Sequence, residues 1–431
     1  MQPRFDISPD EAIALVAASA RDRAALSDRR EKVPVAVAHG RVLLEDVSSL
    51  ADRPTGNDSA LDGFACIAAD TAFATADTPA NLRLLGASVA GRPFTGTVAP
   101  GTTVSVATGA LVPDGADAVS GVEHAAVVGN SVLVTRPADP KAVRPKAQDL
   151  RAGQTYLRSG TRLSAASVGL AAAMGHAAVT VARRPLVAVL TTGDEVVRPG
   201  SRLTAGEVYD ANGAALAALV TAAGCELTLL EHVRDEGESL AQVLDRIVTT
   251  SPPPDLVVTS GGVSRGERDV VRDAMLGTGE LAFWRVTIRP GGPTMFGNYR
   301  GIPLLGLAGN PVSSLVGWLA FGRAFTDTWT GYSGRLPYYD RISVLLNGAF
   351  PAERKTVLYR ARLEERAGVI YGSPYPNQSS GVLRALVESD ALVVVPGVGE
   401  GAAGTDAPPR AAEPATASAA AATAIDLRRW L

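Results

Sequence analysis

The stretch PLVAVLTTGDE, residues Pro185 to Glu195, decides the fold. Leu186 to Leu190 form an unbroken apolar run. A run that short and that continuous marks a strand buried on both faces, as in parallel sheets covered by helices on either side. The pattern then alternates. A helix is predicted from Asn212 to Ala223, closed by Gly224, then a strand from Glu226 to Val233 and a helix from Glu238 to Val248. Leu256 to Thr259 and Pro303 to Leu307 read as further strands, and a helix starts near Pro311. This predicts a three-layer α/β domain with a mostly parallel sheet over residues 184–331.

Upstream, the text is different. Ser8 suits a helix N-cap, with Pro9 at the first helical position and Glu11 three residues after the cap. From Lys32 to Arg136 come short β-rich runs, Val33 to Ala38, Thr103 to Ala107 and Ser131 to Thr135, heavily punctuated by Gly and Pro. A helix follows from Ser164 to Met174, stopped by Gly175. Downstream of Gly331, the runs Ile342 to Leu346, Thr356 to Leu363 and Ala391 to Val395 predict a C-terminal β-barrel-like domain. The expected division is a helical and extended N-terminal domain from 1–50 and 140–183, a small β domain over 51–139, the α/β domain over 184–331, and the β domain over 332–431. Within the last, 401–422 is rich in Ala, Pro and Thr and reads as a flexible linker. Ile425 to Leu431 either return as a strand or dangle. A length of 431 residues suits about three or four such units.

Composition narrows the function. A formal net charge of −3 leaves no bulk basic field, which argues against nucleic acid and anionic lipid as partners. The apolar runs Ala165 to Met174 and Ala214 to Val220 are too short to span a bilayer, and the first residues lack the layout of a signal peptide. Cys66 and Cys225 form no framework or zinc spacing, so a reducing cytoplasm is expected. His39, His124, His176 and His232 form no metal-ligand spacing.

In open parallel sheets, ligands sit beyond the carboxyl ends of the strands. Three such ends carry unusual loops: Thr191 to Glu195, Thr259 to Ser264 with Gly261 and Gly262, and Gly309 to Ser314 with Asn310, Pro311 and Ser313. Paired glycines let backbone N–H groups approach a phosphate, and a helix start adds donors and a favourable dipole. Asn310 could cap that helix; Gly-Asn-Pro is equally the signature of a plain turn. Carboxylates gather at the same ends: Asp194 and Glu195, Asp235 and Glu236, and Asp269. Beside a phosphate they imply a hard cation, most simply Mg²⁺ with several waters. Asp235 and Glu236 also suit the first turn of the next helix. A second loop, Asn57 to Ala65, packs Asp58, Ser59 and Asp62 before Gly63, which an Asx-turn would hold at positive φ.

In order along the chain, these segments resemble the molybdopterin molybdenumtransferase family, to which the E domain of gephyrin belongs. The resemblance covers about Asp6 to Gly397. Asp58 to Ala65 is similar to the family's Asn-Ser-Ala-Met-Asp-Gly-Tyr-Ala signature, with Asp58 for Asn, Leu61 for Met and Phe64 for Tyr. Thr108-Gly109-Ala110, Thr192 to Glu195, Ser260 to Ser264 with Gly266 and Asp269, and Gly309 to Ser313 follow in the family's order.

The resemblance implies an enzyme that takes adenylylated molybdopterin and molybdate, inserts molybdenum into the dithiolene and releases AMP. It implies Mg²⁺, a homodimer with a site shared between subunits, and transient contacts with other proteins of molybdenum cofactor biosynthesis. By matched position, Asp62, Thr108, Asp149, Glu195, Asp235 and Asp269 become the functional polar residues, with Glu195 and Asp269 toward the metal. Ser59, Gly193, Ser260, Gly261, Gly262, Ser264, Asn310, Pro311 and Ser313 become ligand contacts, and 184–331 the molybdopterin-binding domain. Arg289 suits molybdate, since arginine suits oxyanions, although a solvated arginine before a turn reads the same way.

Many family members carry two lysines in that segment, where this chain has Arg289 and Gly292. Arg265 and Arg268 are the expected substitutes for the missing charge. Before Asp149, the family's Gly-Glu is Ala147-Gln148. These departures keep two other readings open: a non-enzymatic scaffold paralogue, and the adenylyltransferase that makes the adenylylated intermediate. The β domains and the Asp58 to Ala65 loop argue against the latter.

Overall fold

A computed structural model describes residues 3–234, 239–263, 270–398 and 420–430. Its centre is a seven-stranded sheet. The order is Arg4–Ile7, Gly279–Val286, Met295–Tyr299, Ile302–Leu307, Leu256–Ser260, Leu186–Thr192 and Glu226–Val233. Met295–Tyr299 runs antiparallel to both neighbours, and the other pairings are parallel.

The period of two along the strands sorts side chains between two cores. Val187 and Val189 face one core with Val258, Leu305 and Phe283. Ala188 and Leu190 face the other with Val257, Leu304 and Met295. The first core is covered by the helices Pro9–Ala25 and Ala211–Ala222 and by the helical run from Pro311 to Thr330. The second is covered by Leu240–Val248 and Val270–Thr278. Three layers result, as the apolar run at Leu186 predicts.

The sheet extends further than expected. Arg4–Ile7 adds to its edge, and Ala12, Ile13, Val16 and Ala20 of the first helix bury into the same core as Val187. The first strand and the first helix thus pack with the α/β unit. Arg4, Phe5, Asp6 and Ile7 alternate, but four residues are too few to carry a readable sheet signal, and their partner lies far along the sequence. The helix start is as read: Ser8 Oγ accepts from the Glu11 N–H at 3.2 Å. The run Val33 to Ala38 is only partly strand, because Arg30–Pro34 gives way to a 3₁₀ turn over Val35–Val37.

The small β unit is a six-stranded sheet, ordered Ala118–Gly121, Gly63–Cys66, Thr102–Val106, Ala80–Ser88, Ser131–Val134 and Ala125–Val128. The C-terminal sheet closes into a five-strand barrel. Thr356–Arg366 pairs with Val369–Pro374 and with Ala391–Val395; Ala421–Asp426 and Arg341–Leu346 complete the ring. Ala421 and Ala422 thus belong to a strand rather than to a linker, and 401–419 lie outside the described residues. The short strand Ile288–Arg289 leaves the α/β unit and pairs in parallel with Thr356 and Val357, joining the barrel to it.

Gly63 does not adopt positive φ. It lies in a strand where a Cβ would come within 2.1 Å of the Ser120 carbonyl oxygen. Close approach of neighbouring backbone, not turn conformation, demands glycine there. Gly63→Ala should destabilise the fold by about 3 kcal/mol, since the overlap is with backbone that cannot rotate away. A thermal unfolding midpoint equal to that of the parent would overturn this account.

Candidate functional site

The carboxyl ends of the parallel strands meet at one cleft of about 850 Å³. Thr192, Gly193 and Glu195 line it from the first loop, Ser260, Gly261 and Gly262 from the second, and Gly309, Asn310 and Pro311 from the third. Sheet order explains the meeting: Leu256–Ser260 lies between Leu186–Thr192 and Ile302–Leu307, so the three loops emerge side by side.

The loops are tied together by side chains. Asn212 Nδ2 donates to Ser260 Oγ at 2.9 Å and to the Gly309 carbonyl at 2.7 Å. Ser260 Oγ also lies 3.1 Å from Ser314 Oγ. Asp210 caps its helix by accepting from the Gly213 N–H at 2.7 Å, and its other oxygen accepts from the Thr191 hydroxyl at 2.7 Å. Sequence reading singled out neither Asp210 nor Asn212. An acidic residue directly before a predicted helix was the available signal for Asp210; Asn212 left none, because its role depends on two loops far away in sequence.

The glycines have distinct reasons. Gly261, at φ +100°, leaves no room for a Cβ, which would lie 2.6 Å from Thr192 Oγ1. Gly193, at φ +134°, lies under the Glu195 carboxylate, whose oxygens would be 2.8 and 2.9 Å from a Cβ. Glu195 is itself exposed and folds back over the loop.

Some expected features differ. Asn310 occupies the N-cap position but caps nothing: its Nδ2 donates to Ser380 Oγ at 2.9 Å. Pro311 has no N–H, and the Val312 N–H donates to the Ser380 carbonyl at 3.1 Å. The helix start therefore offers fewer donors to an anion than the motif implies. Ser264, Asp235, Glu236, Arg265, Arg268 and Asp269 lie outside the described residues. Among the described residues, no cluster of three or more His, Cys, Asp or Glu could hold a metal by itself. Mg²⁺ needs only one or two carboxylates, keeping its other ligands as water and substrate oxygens, so Glu195 at a phosphate-sized loop fits that ion.

A second cavity, of about 860 Å³, adjoins the first and shares Pro293, Ala308 and Asn310 with it. Its walls come from the α/β unit, with Arg289, Gly292 and Ser313, and from the barrel side, with Glu353, Arg354 and Lys355. Arg289 forms an ion pair with Glu353. Behind it, Arg360 is 2 % exposed, and its Nε has no hydrogen-bond partner among the described residues. Burial, and secondarily the nearby Arg289 charge, push the Arg360 pKa down to about 10.

Asp62, Thr108, Asp149 and Ser59 line neither cavity. Asp62 and Thr108 are exposed together beside the small β unit. The Thr108 N–H and hydroxyl both donate to Asp62 Oδ1, at 2.7 and 2.9 Å. Asp149 is exposed and lies 3.6 Å from Arg53 Nε. Ser59 is fully buried and donates to the Leu61 carbonyl at 2.6 Å, so it shapes the turn instead of meeting a ligand. Asp58, 6 % exposed, accepts from Arg144 Nε and Nη2, both at 2.8 Å.

Comparison with known proteins bears on all of these regions. Residues 7–175 match the model "MoeA N-terminal region (domain I and II)", 188–327 the model "Probable molybdopterin binding domain", and 344–408 the model "MoeA C-terminal region (domain IV)". Molybdopterin molybdenumtransferase 2 of Mycobacterium tuberculosis is 36 % identical over 384 residues, covering 86 % of this chain and 93 % of its own. Molybdopterin molybdenumtransferase of a Nostoc species is 32 % identical, covering 85 % of each chain. The crystal structure of the molybdopterin biosynthesis MoeA protein of Pyrococcus horikoshii superposes with a TM-score of 0.75 at 25 % identity, over 91 % of this chain and 96 % of that one.

Hydrogen bonds from Thr108, the backbone one first, hold the Asp62 carboxyl below the usual carboxylate range. A pKa depressed in the fold contributes stability that is present above the unfolded value and is lost as pH falls through the folded value. Thr108→Val keeps the backbone donor and removes the hydroxyl, so the Asp62 pKa should rise part of the way toward that of a free aspartate. Carboxyl-carbon NMR titration reads this directly. An unmoved titration would mean that the hydroxyl donates elsewhere in solution.

Proposed function

The chain belongs to the molybdopterin molybdenumtransferase family, and from that premise we propose that it transfers molybdenum from molybdate into adenylylated molybdopterin, releasing AMP. It acts in molybdenum cofactor biosynthesis, and its substrates are small molecules. The observation that carries the detailed reading is the pair of joined cavities. One is floored by glycine loops at strand ends, which suits a nucleotide pyrophosphate. The other is walled by cations, which suits an oxyanion.

Under this reading the glycine loops seat the adenylylated end, and Asn212 and Asp210 hold those loops in register. Molybdate waits in the cationic cavity. Both substrates are anionic, and the basic side chains between them lower their mutual repulsion. Glu195, with Asp269, would hold Mg²⁺, which when bound draws charge from the pyrophosphate and eases departure of AMP. No helix among the described residues is long and apolar enough to cross a membrane. A cytoplasmic enzyme, in transient contact with others of its pathway, is the setting we propose.

We also propose a homodimer. The exposed Asp62–Thr108 pair belongs to the small β unit and lines neither cavity of its own chain. The same loop from a second copy would complete the cleft. Asp149, on the neighbouring exposed segment, would accompany it.

Purified protein given adenylylated molybdopterin, Mg²⁺ and molybdate should release AMP and form molybdenum cofactor; neither product appearing would sink the transfer reading. Glu195→Gln should cost at least about tenfold in AMP release, the lower end of what losing a carboxylate that supports a metal costs, with partial recovery at higher Mg²⁺. No change in Mg²⁺ dependence would remove Glu195 from that role. For the shared site, Asp62→Asn and Glu195→Gln proteins are each expected to be impaired. Mixing them under subunit exchange should regain activity, because some mixed dimers then hold one intact site. Failure to regain it, with exchange verified by mass, would place both residues in a single subunit's site.

A further inference from the structure

The cationic cavity holds three basic side chains at its wall, but they are not equivalent. Arg289 is spent on Glu353, its ion-pair partner. Arg354 is exposed, on a segment that points its backbone toward Gly397. Lys355 is half-buried and has no ion pair or hydrogen bond among the described residues. Its ammonium also stands in a particular place. A Cβ built on Gly292 would lie 3.8 Å from Lys355 Nζ. The ammonium thus reaches into the space that a side chain at position 292 would enter.

The backbone fixes that approach. The residue after Lys355 is locked to the α/β unit, with the Thr356 N–H donating to the Thr287 carbonyl at 2.9 Å. Ile288 and Arg289 are in register with Thr356 and Val357. Lys355 is therefore held at the seam where the barrel meets the loop carrying Gly292. Gly292 itself is tightly enclosed, with a Cβ only 3.0 Å from the Ile288 carbonyl and 3.4 Å from that of Val286. A long side chain there would compete with the Lys355 ammonium for the same space.

We propose that Lys355 is the principal oxyanion-binding cation of this cavity and supplies from the barrel the charge that position 292 does not provide. The proposal rests on the molybdate reading above. It goes further in assigning the charge to a residue of a different unit, and it displaces Arg289 from that part. Arg289 becomes the partner that keeps Glu353 from competing for the ammonium. A free ammonium at the cavity wall suits a small tetrahedral dianion, since its N–H donors meet no acceptor among the described residues.

The test uses the full chain and molybdate itself. Lys355→Gln should raise the molybdate concentration for half-maximal AMP release about tenfold or more, the loss expected for one charge-assisted hydrogen bond. Affinity for AMP, measured separately by calorimetry, should not move. Lys355→Met, which keeps the stem, should give the same loss, and Lys355→Arg, which keeps the charge, should recover most of it. A folded K355Q protein with the parent's molybdate dependence overturns the assignment and leaves the transfer reading intact. Parent protein without any saturable dependence on molybdate overturns both.

Discussion

Everything in the site hangs on one strand that is buried on both faces. Leu186–Thr192 lies between Glu226–Val233 and Leu256–Ser260, and all of its residues are buried. Its side chains alternate between two separate cores, so a slip of one residue would send Val187 and Val189 into the core built for Ala188 and Leu190. That penalty fixes the register of the strand against both neighbours. Register in turn fixes where each strand ends, and the three ends carry the glycine loops. The cleft is thus a by-product of core packing. The loops meet because the strands beneath them cannot slide.

That dependence explains which parts were legible in the sequence. A two-sided strand writes itself as a continuous apolar run, and a capped helix writes itself as Ser8-Pro9 with Glu11. Both signals are local. The loops were legible because glycine pairs and Gly-Asn-Pro are short and stand at run ends. What stayed hidden was non-local. Arg4–Ile7 pairs with Gly279–Val286 across most of the chain, and an alternation only four residues long does not announce that partner. Gly63 was read as a turn glycine because a facing carbonyl at Ser120 cannot be seen from one segment. Asn310 has the identity and position of a cap, yet Ser380, from the region beyond the α/β unit, takes its side chain. Arg289 looked like a free cation because Glu353 is distant in sequence. The same distance concealed Lys355.

The barrel is accordingly more than an appendage. Ile288–Arg289 leaves the α/β unit and becomes part of the barrel's hydrogen bonding, while Leu358, Leu392 and Ile425 of the barrel bury in the α/β core. The cationic cavity lies along this junction, with one wall from each unit. A rotation of the barrel would move Lys355 and Glu353 relative to Gly292 and would reach the glycine loops only at the third, which Asn310 and Val312 tie to Ser380. Affinity for an oxyanion therefore depends on contacts that the first two glycine loops do not make, while Asn310 is common to both cavities.

The Asp58–Arg144 pair has an evolutionary consequence. A buried carboxylate held by a bidentate guanidinium is stable only as a couple, because removing Arg144 leaves an uncompensated charge beside the loop that carries Asp62. Replacing Asp58 by a neutral amide costs less, because the Arg144 side chain is 41 % exposed and keeps water as its partner. A lineage that gains the aspartate form of this loop must therefore hold the basic residue at 144 first or gain both together. Residues 58 and 144 should accordingly be inherited as a linked pair, and natural sequences bearing aspartate at the first position should bear a basic residue at the second.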